Sequence, residues 1–162
     1  MILHNETMTK TAILTDQQFL KEAFNEALES YREGGIPIGA VMVENGDIIG
    51  RGHNQRVQFN DPIAHGEMDC IRKVGRRASY NGITLYTTLS PCMMCAGTII
   101  QFGIPRVVVG ENLSFKGNLE FLQSHGVDVM LLNDPSCHDL MQKFIQGKPL
   151  LWLEDIAGRD HV

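Results

Sequence analysis

Apolar positions near the start of the chain follow the period of an α-helix. Seven of them share one predicted face at a spacing of about 3.6 residues: Phe19, Leu20, Ala23, Phe24, Ala27, Leu28 and Tyr31. Thr15 and Asp16 can cap this helix at its start, and Gly34-Gly35 can end it. The pattern therefore predicts one amphipathic helix that lays an apolar face on a core.

The pattern then changes to that of two paired strands. Apolar runs at residues 36–43 and 48–52 flank the turn sequence Asn45-Gly46-Asp47. Such a turn between two apolar runs is typical of a β-hairpin. Residues 54–60 are mostly polar, and we expect a loop there.

After this loop, helical and strand patterns alternate. Asp61-Pro62 is a helix-start signal and Gly75 a stop, so a helix is predicted from about His65 to Val74. The remaining predicted elements are strands at 83–88, 106–109 and 127–132, and helices at 91–102, 119–124, 137–145 and around Trp152. This order predicts an α/β fold, a three-layer α/β/α sandwich around a central mixed five-stranded sheet.

The whole chain is expected to form one domain. Its 162 residues, 43% of them hydrophobic, suffice for one core, and no repeat or low-complexity linker divides residues 1–162. Residues 1–14 mix polar and apolar side chains, which predicts a flexible N-terminus rather than a signal peptide. No segment has the length and hydrophobicity of a membrane span. Four cysteines without secretory context favour a reducing, cytoplasmic location.

The charge balance argues against a polynucleotide partner. The chain carries 14 Lys and Arg against 19 Asp and Glu, a formal net charge of −5. Nucleic-acid binding depends on neutralising many phosphates, which requires a broad basic surface. A small-molecule substrate is therefore expected, with no membrane partner.

Two short motifs carry the predicted chemistry. They are His65-Gly66-Glu67 and Pro91-Cys92-Met93-Met94-Cys95, which together have the H-x-E…P-C-x-x-C form of zinc deaminases. Cys92 and Cys95 at the start of a helix can face one ion as thiolates. With His65 they make three protein ligands, and the fourth tetrahedral position of one Zn²⁺ per chain stays open for water.

Glu67 has the position of a proton carrier. Zinc lowers the pKa of its water to about 7, and Glu67 can take a proton from that water and pass protons to a ring nitrogen and a departing amine. A structural zinc site is the alternative interpretation. It requires a fourth protein ligand, for which His53, Cys70 or Cys137 would be available.

Beyond these motifs, the chain resembles the fungal-type cytosine deaminases within the cytidine deaminase superfamily. The similar segments are residues 31–39, Gly50-Arg51-Gly52-His53-Asn54, residues 84–92, Gly103-Ile104-Pro105-Arg106, Val109-Gly110-Glu111-Asn112 and Trp152-Leu153-Glu154-Asp155-Ile156. The resemblance implies a cytidine deaminase-like fold, a homodimer and hydrolysis of cytosine to uracil and ammonia in pyrimidine salvage.

The resemblance also implies the substrate contacts. Asn54 would bind the pyrimidine carbonyl, and Asp155 would bind the exocyclic amine from a C-terminal segment, residues 148–158, that covers the active site. The remaining contacts would be the amides of Gly66 and Cys92, the carbonyl of Ser90, and apolar walls formed by Ile36, Phe115 and Trp152.

Two departures from the fungal pattern leave the identity of the base open. Leu153 stands where the fungal pattern has Phe, and Asp61-Pro62-Ile63-Ala64-His65 is similar to bacterial guanine and tRNA-adenosine deaminases. Guanine, isocytosine and N4-substituted cytosine are thus alternative substrates. A tRNA-adenosine deaminase would need a basic surface near its RNA, whereas the C-terminal end here is acidic. A zinc-stabilised binding module without activity is the non-enzymatic alternative.

Overall fold

A mixed five-stranded sheet forms the centre of the protein in the computed structural model, which describes the backbone of residues 2–157 and the side chains of residues 15–157. The strands are β1 (Gly39–Glu44), β2 (Asp47–His53), β3 (Ile83–Leu89), β4 (Arg106–Glu111) and β5 (Asp128–Leu131). Their order across the sheet is β2-β1-β3-β4-β5. β1 is antiparallel to β2 and β3, whereas the β3–β4 and β4–β5 pairs are parallel.

Seven helices are described around this sheet. They are α1 (Ile2–Arg32), α2 (Arg56–Phe59), α3 (Gly66–Val74), α4 (Met93–Phe102), α5 (Leu119–Ser124), α6 (Pro135–Gly147) and α7 (Pro149–Asp155). Within the described range, no helix combines the length and apolar character needed to cross a membrane.

Two apolar layers, one on each face of the sheet, form most of the core, and a third apolar cluster that includes Trp152 completes it. On one face, Cys70 of α3, Ala96 of α4 and Leu122 of α5 pack against residues such as Leu85. On the other face, α1 and α6 pack against a cluster that includes Tyr86. Successive strand residues point to opposite faces, so Leu85 and Tyr86 belong to different layers. This arrangement confirms the predicted three-layer α/β/α sandwich.

The start of α1 differs from its prediction. The helix begins at Ile2, so Asp16 lies inside it and is not a cap. The buried Asp16 carboxylate instead accepts hydrogen bonds from Arg106 (2.7 and 2.9 Å) and from the Tyr86 hydroxyl (2.7 Å). Flexibility of residues 1–14 stays a prediction, and residue 1 lies outside the described part of the chain.

Two further elements differ from the sequence prediction. Residues 54–60, expected as a loop, contain the short helix α2. Helix α6 begins at Pro135 rather than Cys137, because the Asp134 carboxylate caps it by accepting from the Cys137 amide at 3.0 Å. An Asp-Pro pair is a helix-start signal that the period of apolar residues alone did not reveal.

Candidate active site

The ends of two helices and one strand meet where the predicted zinc motifs lie. His65 and Cys92 occupy the N-cap positions of α3 and α4, each with an extended backbone. Cys92 follows β3 by three residues and Cys95 lies in the first turn of α4. Two positive helix ends therefore point toward the same place, which favours anionic ligands there.

His65, Cys92 and Cys95 form one cluster. The Nδ1 atom of His65 lies 3.5 Å from the Cys92 sulfur and 3.8 Å from the Cys95 sulfur, and all three ligand atoms fall within 4.8 Å of one another. Tetrahedral zinc with bonds of about 2.3 Å to sulfur and about 2.0 Å to nitrogen separates such ligands by roughly 3.5 Å. The donor set therefore fits a zinc ion.

The electrostatics of the cluster are those of a cation site. A hydrogen bond from Cys95, followed by one from His65, lowers the pKa of Cys92 to about 4. The hydrogen bond to Cys92 and burial raise the pKa of the Cys95 thiol well above its usual value. Burial opposes charge on His65, but its hydrogen bond to Cys92 raises its pKa. An electron-rich sulfur thus lies beside two further donors, as a metal ion requires.

Glu67 lies beside this cluster and is buried, with 3% of its surface exposed. Its Oε2 accepts from the Cys95 sulfur at 3.0 Å, and its Oε1 accepts from the Thr87 hydroxyl at 2.6 Å. One carboxylate oxygen thus faces the metal ligands while the other is held in place. Sequence reasoning missed Thr87, although a threonine at an inward position of an apolar strand was a signal for it.

A cavity of about 740 Å³ opens over the cluster and Glu67. Five of the predicted substrate contacts line it: Ser90, Cys92, Phe115, Trp152, and Asp155 from the end of α7. The Phe115 and Trp152 rings meet edge to face with centroids 6.5 Å apart. Ile38, Leu89, Met94 and Ile156 add apolar walls that the sequence did not single out.

Asn54, Gly66 and Ile36 are not among the residues that line this cavity. Ile36 is fully buried behind it, in the apolar cluster that contains Trp152. Gly66 begins α3 so close to the backbone of Ile38 that a Cβ would lie 2.9 Å from the Ile38 carbonyl oxygen. This close approach requires glycine between His65 and Glu67.

The side chain of Asn54 is fully buried, and one of its two polar atoms has no partner. Its Oδ1 accepts from the Arg56 amide at 3.1 Å, whereas the buried Nδ2 has no hydrogen-bond partner among the described residues. A buried donor without an acceptor is costly, so its presence indicates that something else supplies the acceptor.

Asp155 is also buried, with 5% of its side chain exposed. Its Oδ1 accepts from Arg56 Nη1 at 2.8 Å and lies 3.9 Å from Nε2 of His65. Burial raises the pKa of this carboxyl group, although the charges of His65 and Arg56 oppose the effect. Sequence reasoning missed Arg56, because its partner lies 99 residues away along the chain.

The side chains considered as a fourth zinc ligand lie elsewhere. His53 contacts Glu26 of α1 and Glu33 just after it, and Cys70 and Cys137 are buried in the two apolar layers. Over the described residues, the metal-binding group therefore contains three protein ligands. This is the ligand count of a catalytic rather than a structural zinc site.

Fold and site together define a hydrolytic deaminase domain, and the comparisons with known proteins agree. The model of the cytidine and deoxycytidylate deaminase zinc-binding region matches residues 14–111. The chain belongs to this zinc-binding family. Its predicted zinc cofactor is thereby confirmed, with His65, Cys92 and Cys95 as the cluster that binds it.

Individual relatives differ in the substrates that their names give. A cytosine deaminase from Candida albicans is 49% identical over 145 residues, which are 88% of this chain and 97% of that protein. A tRNA-specific adenosine deaminase from Streptococcus pyogenes serotype M18 is 38% identical, covering 80% of this chain and 90% of that protein. A solved structure from a study of tRNA:A34 deaminases superposes with a TM-score of 0.68 at 29% identity, covering 76% of this chain and 99% of that one.

Proposed function

We propose that the protein is a zinc-dependent hydrolase that converts cytosine and water to uracil and ammonia. The observation that carries this proposal is the buried Glu67, which lies between Thr87 and the zinc ligands at the base of a cavity lined by Asp155. The 49% identity to the Candida albicans cytosine deaminase over 97% of that protein supports the choice of base.

His65, Cys92 and Cys95 hold the zinc ion, which when bound supplies a water molecule that ionises near neutral pH. Glu67 moves the protons. Its Oε2, on the side of the metal ligands, takes a proton from the water and delivers it to the ring nitrogen next to the reacting carbon. As the water oxygen bonds to the ring carbon, its second proton passes through the same carboxylate oxygen to the amine, which leaves as ammonia when the C–N bond breaks. Thr87 keeps the carboxylate in one orientation through Oε1.

Recognition of the ring is assigned to Ser90, Cys92 and Asp155, which line the cavity, and to Asn54 and Gly66, which lie outside its lining. The free Nδ2 donor of Asn54 suits the pyrimidine carbonyl, and the Asp155 carboxylate suits the exocyclic amine. The amides of Gly66 and Cys92 and the carbonyl of Ser90 complete the set. Phe115 and Trp152 enclose the flat ring, while Ile36 supports Trp152 from behind.

Larger bases are the second candidate substrate class. The similarity of residues 61–65 to guanine and tRNA-adenosine deaminases favours them, and so do the adenosine deaminases at 38% identity. Leu153 is partly buried but does not line the cavity, so the departure at this position gives them little support. The net charge of −5 argues against a tRNA substrate.

The biological setting follows from the same proposal. Pyrimidine salvage is the corresponding role, in the cytoplasm and as a homodimer. All four cysteines, Cys70, Cys92, Cys95 and Cys137, are free thiols, which suits a reducing compartment.

The decisive assay is ammonia release by the zinc-loaded protein from cytosine, isocytosine, guanine, adenine, cytidine and deoxycytidine. We expect the highest kcat/KM with cytosine. A preference for guanine or for a nucleoside would overturn the assignment of the base. Release from none of the six, by protein with full zinc content, would favour the binding module.

The role of Glu67 is tested by Glu67→Gln. Because the amide cannot accept and return a proton, kcat should fall by about 10²–10⁴-fold or more while zinc content is retained. Glu120→Gln, at an exposed position of α5, is the matched control and should match the wild type. Undiminished turnover by Glu67→Gln would refute the mechanism.

A further inference from the structure

Arg56 contacts both Asn54 and Asp155, the two polar residues proposed to bind the substrate. It begins the four-residue helix α2, directly behind the loop that contains Asn54, and its side chain is only 12% exposed. Few arginines are so buried without several partners. The backbone amide of Arg56 and each of its three guanidinium nitrogens donate a hydrogen bond.

The backbone of Arg56 fixes the orientation of Asn54. Its amide donates to Asn54 Oδ1 at 3.1 Å, and an N–H can bond only the oxygen of a carboxamide. The Asn54 side chain therefore cannot flip without losing this bond. The consequence is that Nδ2, buried and without a hydrogen-bond partner among the described residues, is the side-chain atom left to donate to a substrate.

The guanidinium of Arg56 holds the opposite side of the site. Nη1 donates to the buried Asp155 at 2.8 Å, Nη2 to Glu154 at 3.3 Å, and Nε to the Pro62 carbonyl at 3.1 Å. The bond to buried Asp155 attaches α7, the longer bond to exposed Glu154 adds little to it, and the bond to Pro62 attaches the segment that leads to His65. One planar group thus joins three separate parts of the chain.

We propose that Arg56 is the positioning residue that holds the Nδ2 donor of Asn54 and the carboxylate acceptor of Asp155 in fixed relative positions. The pair then selects a ring that carries both a carbonyl and an amino group. The inference rests on the proposed function, since these two groups are its substrate contacts. Arg56 acts through them and does not touch the reacting atoms.

The arrangement requires arginine rather than lysine. A guanidinium donates in several fixed directions of one plane, whereas an ammonium is a single compact charge. A lysine at position 56 keeps the charge, yet it cannot reach Asp155 and Pro62 together. Arg56→Lys should therefore fold and bind zinc while losing part of the selection.

The kinetic test uses zinc-loaded Arg56→Gln and Arg56→Lys with cytosine. For Arg56→Gln we expect KM to rise about tenfold or more with kcat within about threefold, because a buried charged pair is lost while Glu67 and the zinc ligands stay in place. Arg56→Lys should give an intermediate rise. Glu154→Gln removes the exposed partner at 65% exposure and should stay within about twofold of the wild type.

A double-mutant cycle separates positioning from a general structural role. If Arg56 acts through Asp155, adding Arg56→Gln to Asp155→Asn should change kcat/KM by less than about twofold further. If the two substitutions lower kcat/KM multiplicatively in the double variant, the proposal is overturned. An unchanged KM in Arg56→Gln would also overturn it.

Hydrogen exchange of the α7 amides, residues 149–155, gives a readout that needs no substrate. We expect faster exchange in Arg56→Gln than in Glu154→Gln or the wild type, and equal exchange in all three would overturn the attachment of α7. If the wild type does not deaminate cytosine, the proposed function fails by itself. The cycle is then run on whichever base releases ammonia, and hydrogen exchange decides the role of Arg56 in either case.

Discussion

At the scale of single residues, His53 shows how a charge can stabilise the fold from behind the active site. Its Nδ1 lies 2.9 Å from Glu26 of α1 and its Nε2 3.1 Å from Glu33 in the turn after α1, while Asp69 accepts from its backbone amide. The hydrogen bond to Glu26 raises the pKa of His53 above its usual value, more than burial lowers it. When protonated, the ring donates to both carboxylates and ties β2 to α1 and the turn after it.

This shift predicts a pH-dependent stability. Because the folded pKa exceeds the unfolded one, the contribution of His53 is complete below pH of about 6.5 and is lost as the pH rises through the folded pKa. The difference in free energy of unfolding between wild type and His53→Gln should thus be larger at pH 6 than at pH 9. Urea denaturation of the zinc-loaded proteins measures it. His125→Gln, at the exposed end of α5, is the control, and a difference independent of pH would contradict the prediction.

Thr87 offers a second test at this scale. Thr87→Val keeps the side-chain shape but removes the donor to Glu67 Oε1, so the carboxylate loses a held orientation. We expect kcat for cytosine to fall about tenfold with zinc content unchanged. Thr84→Val, on the same strand and half-exposed, is the control. Equal kcat values for the two variants would show that Thr87 does not orient Glu67.

Whether a site residue could be predicted from the sequence depends on how many residues separate it from its partners. His65, Glu67, Cys92 and Cys95 were predictable because spacing within each motif sets their geometry. Arg56 was not, because its ion pair with Asp155 depends on how the sheet and α7 fold. Pairs of this kind leave no periodic signal in one sequence.

At the scale of elements, the close packing of α3 on β2 fixes the position of His65 and Glu67. A Cβ on Gly52 would lie 2.7 Å from the Cα of Cys70 in α3, and closer still to its backbone nitrogen. Both atoms are backbone, so the contact cannot be relieved by a rotamer change. The helix that carries the site would have to move away from the sheet.

Gly52→Ala is therefore expected to destabilise the protein by about 1–3 kcal/mol and to lower its zinc content. Gly97→Ala is the matched control, since this glycine lies inside α4 with open space around it. It should be neutral or stabilising by up to about 1 kcal/mol. Urea denaturation and metal analysis of both variants check the pair. A stable, fully loaded Gly52→Ala protein would contradict the packing argument.

The elements themselves were mostly predictable from apolar periodicity. The hairpin between β1 and β2 follows from Asn45 and Gly46, which adopt positive φ angles of 52° and 84°. The four-residue helix α2 was not predictable, because it has no apolar face of its own and no buried residue. Tertiary hydrogen bonds of Arg56 and Gln58 hold it instead.

At the scale of the whole molecule, the zinc ligands join two helices that pack on the same face of the sheet. His65 begins α3 and Cys92 begins α4. A ligand that binds only the folded state stabilises it in proportion to the logarithm of its concentration over Kd. Removal of zinc by a chelator should thus lower Tm by at least about 5 °C.

Differential scanning calorimetry with and without chelator measures this shift. Cys137→Ser, which changes a buried cysteine outside the cluster, should keep the chelator effect of the wild type. Cys92→Ser should lose it. A chelator effect of equal size in both variants would show that the ion is bound elsewhere.

The sheet order was only partly accessible from the sequence. Alternating helices and strands predict a layered α/β fold, but pattern alone does not place β1 between β2 and β3. That placement depends on the antiparallel register in which Val41 pairs with Tyr86. The alternation of side chains along β1 is compatible with this pairing but does not determine it.

Asp155 lies 99 residues after its partner Arg56 and also follows every metal ligand in the chain, so it is synthesised after all of them. At a rate of about 5–20 residues per second, Cys95 is synthesised roughly 3–12 s before Asp155. Every metal ligand is therefore made before Asp155, the residue proposed to bind the amine. If the proposal is right, a nascent chain can bind its metal first and become active only once α7 has packed on Arg56.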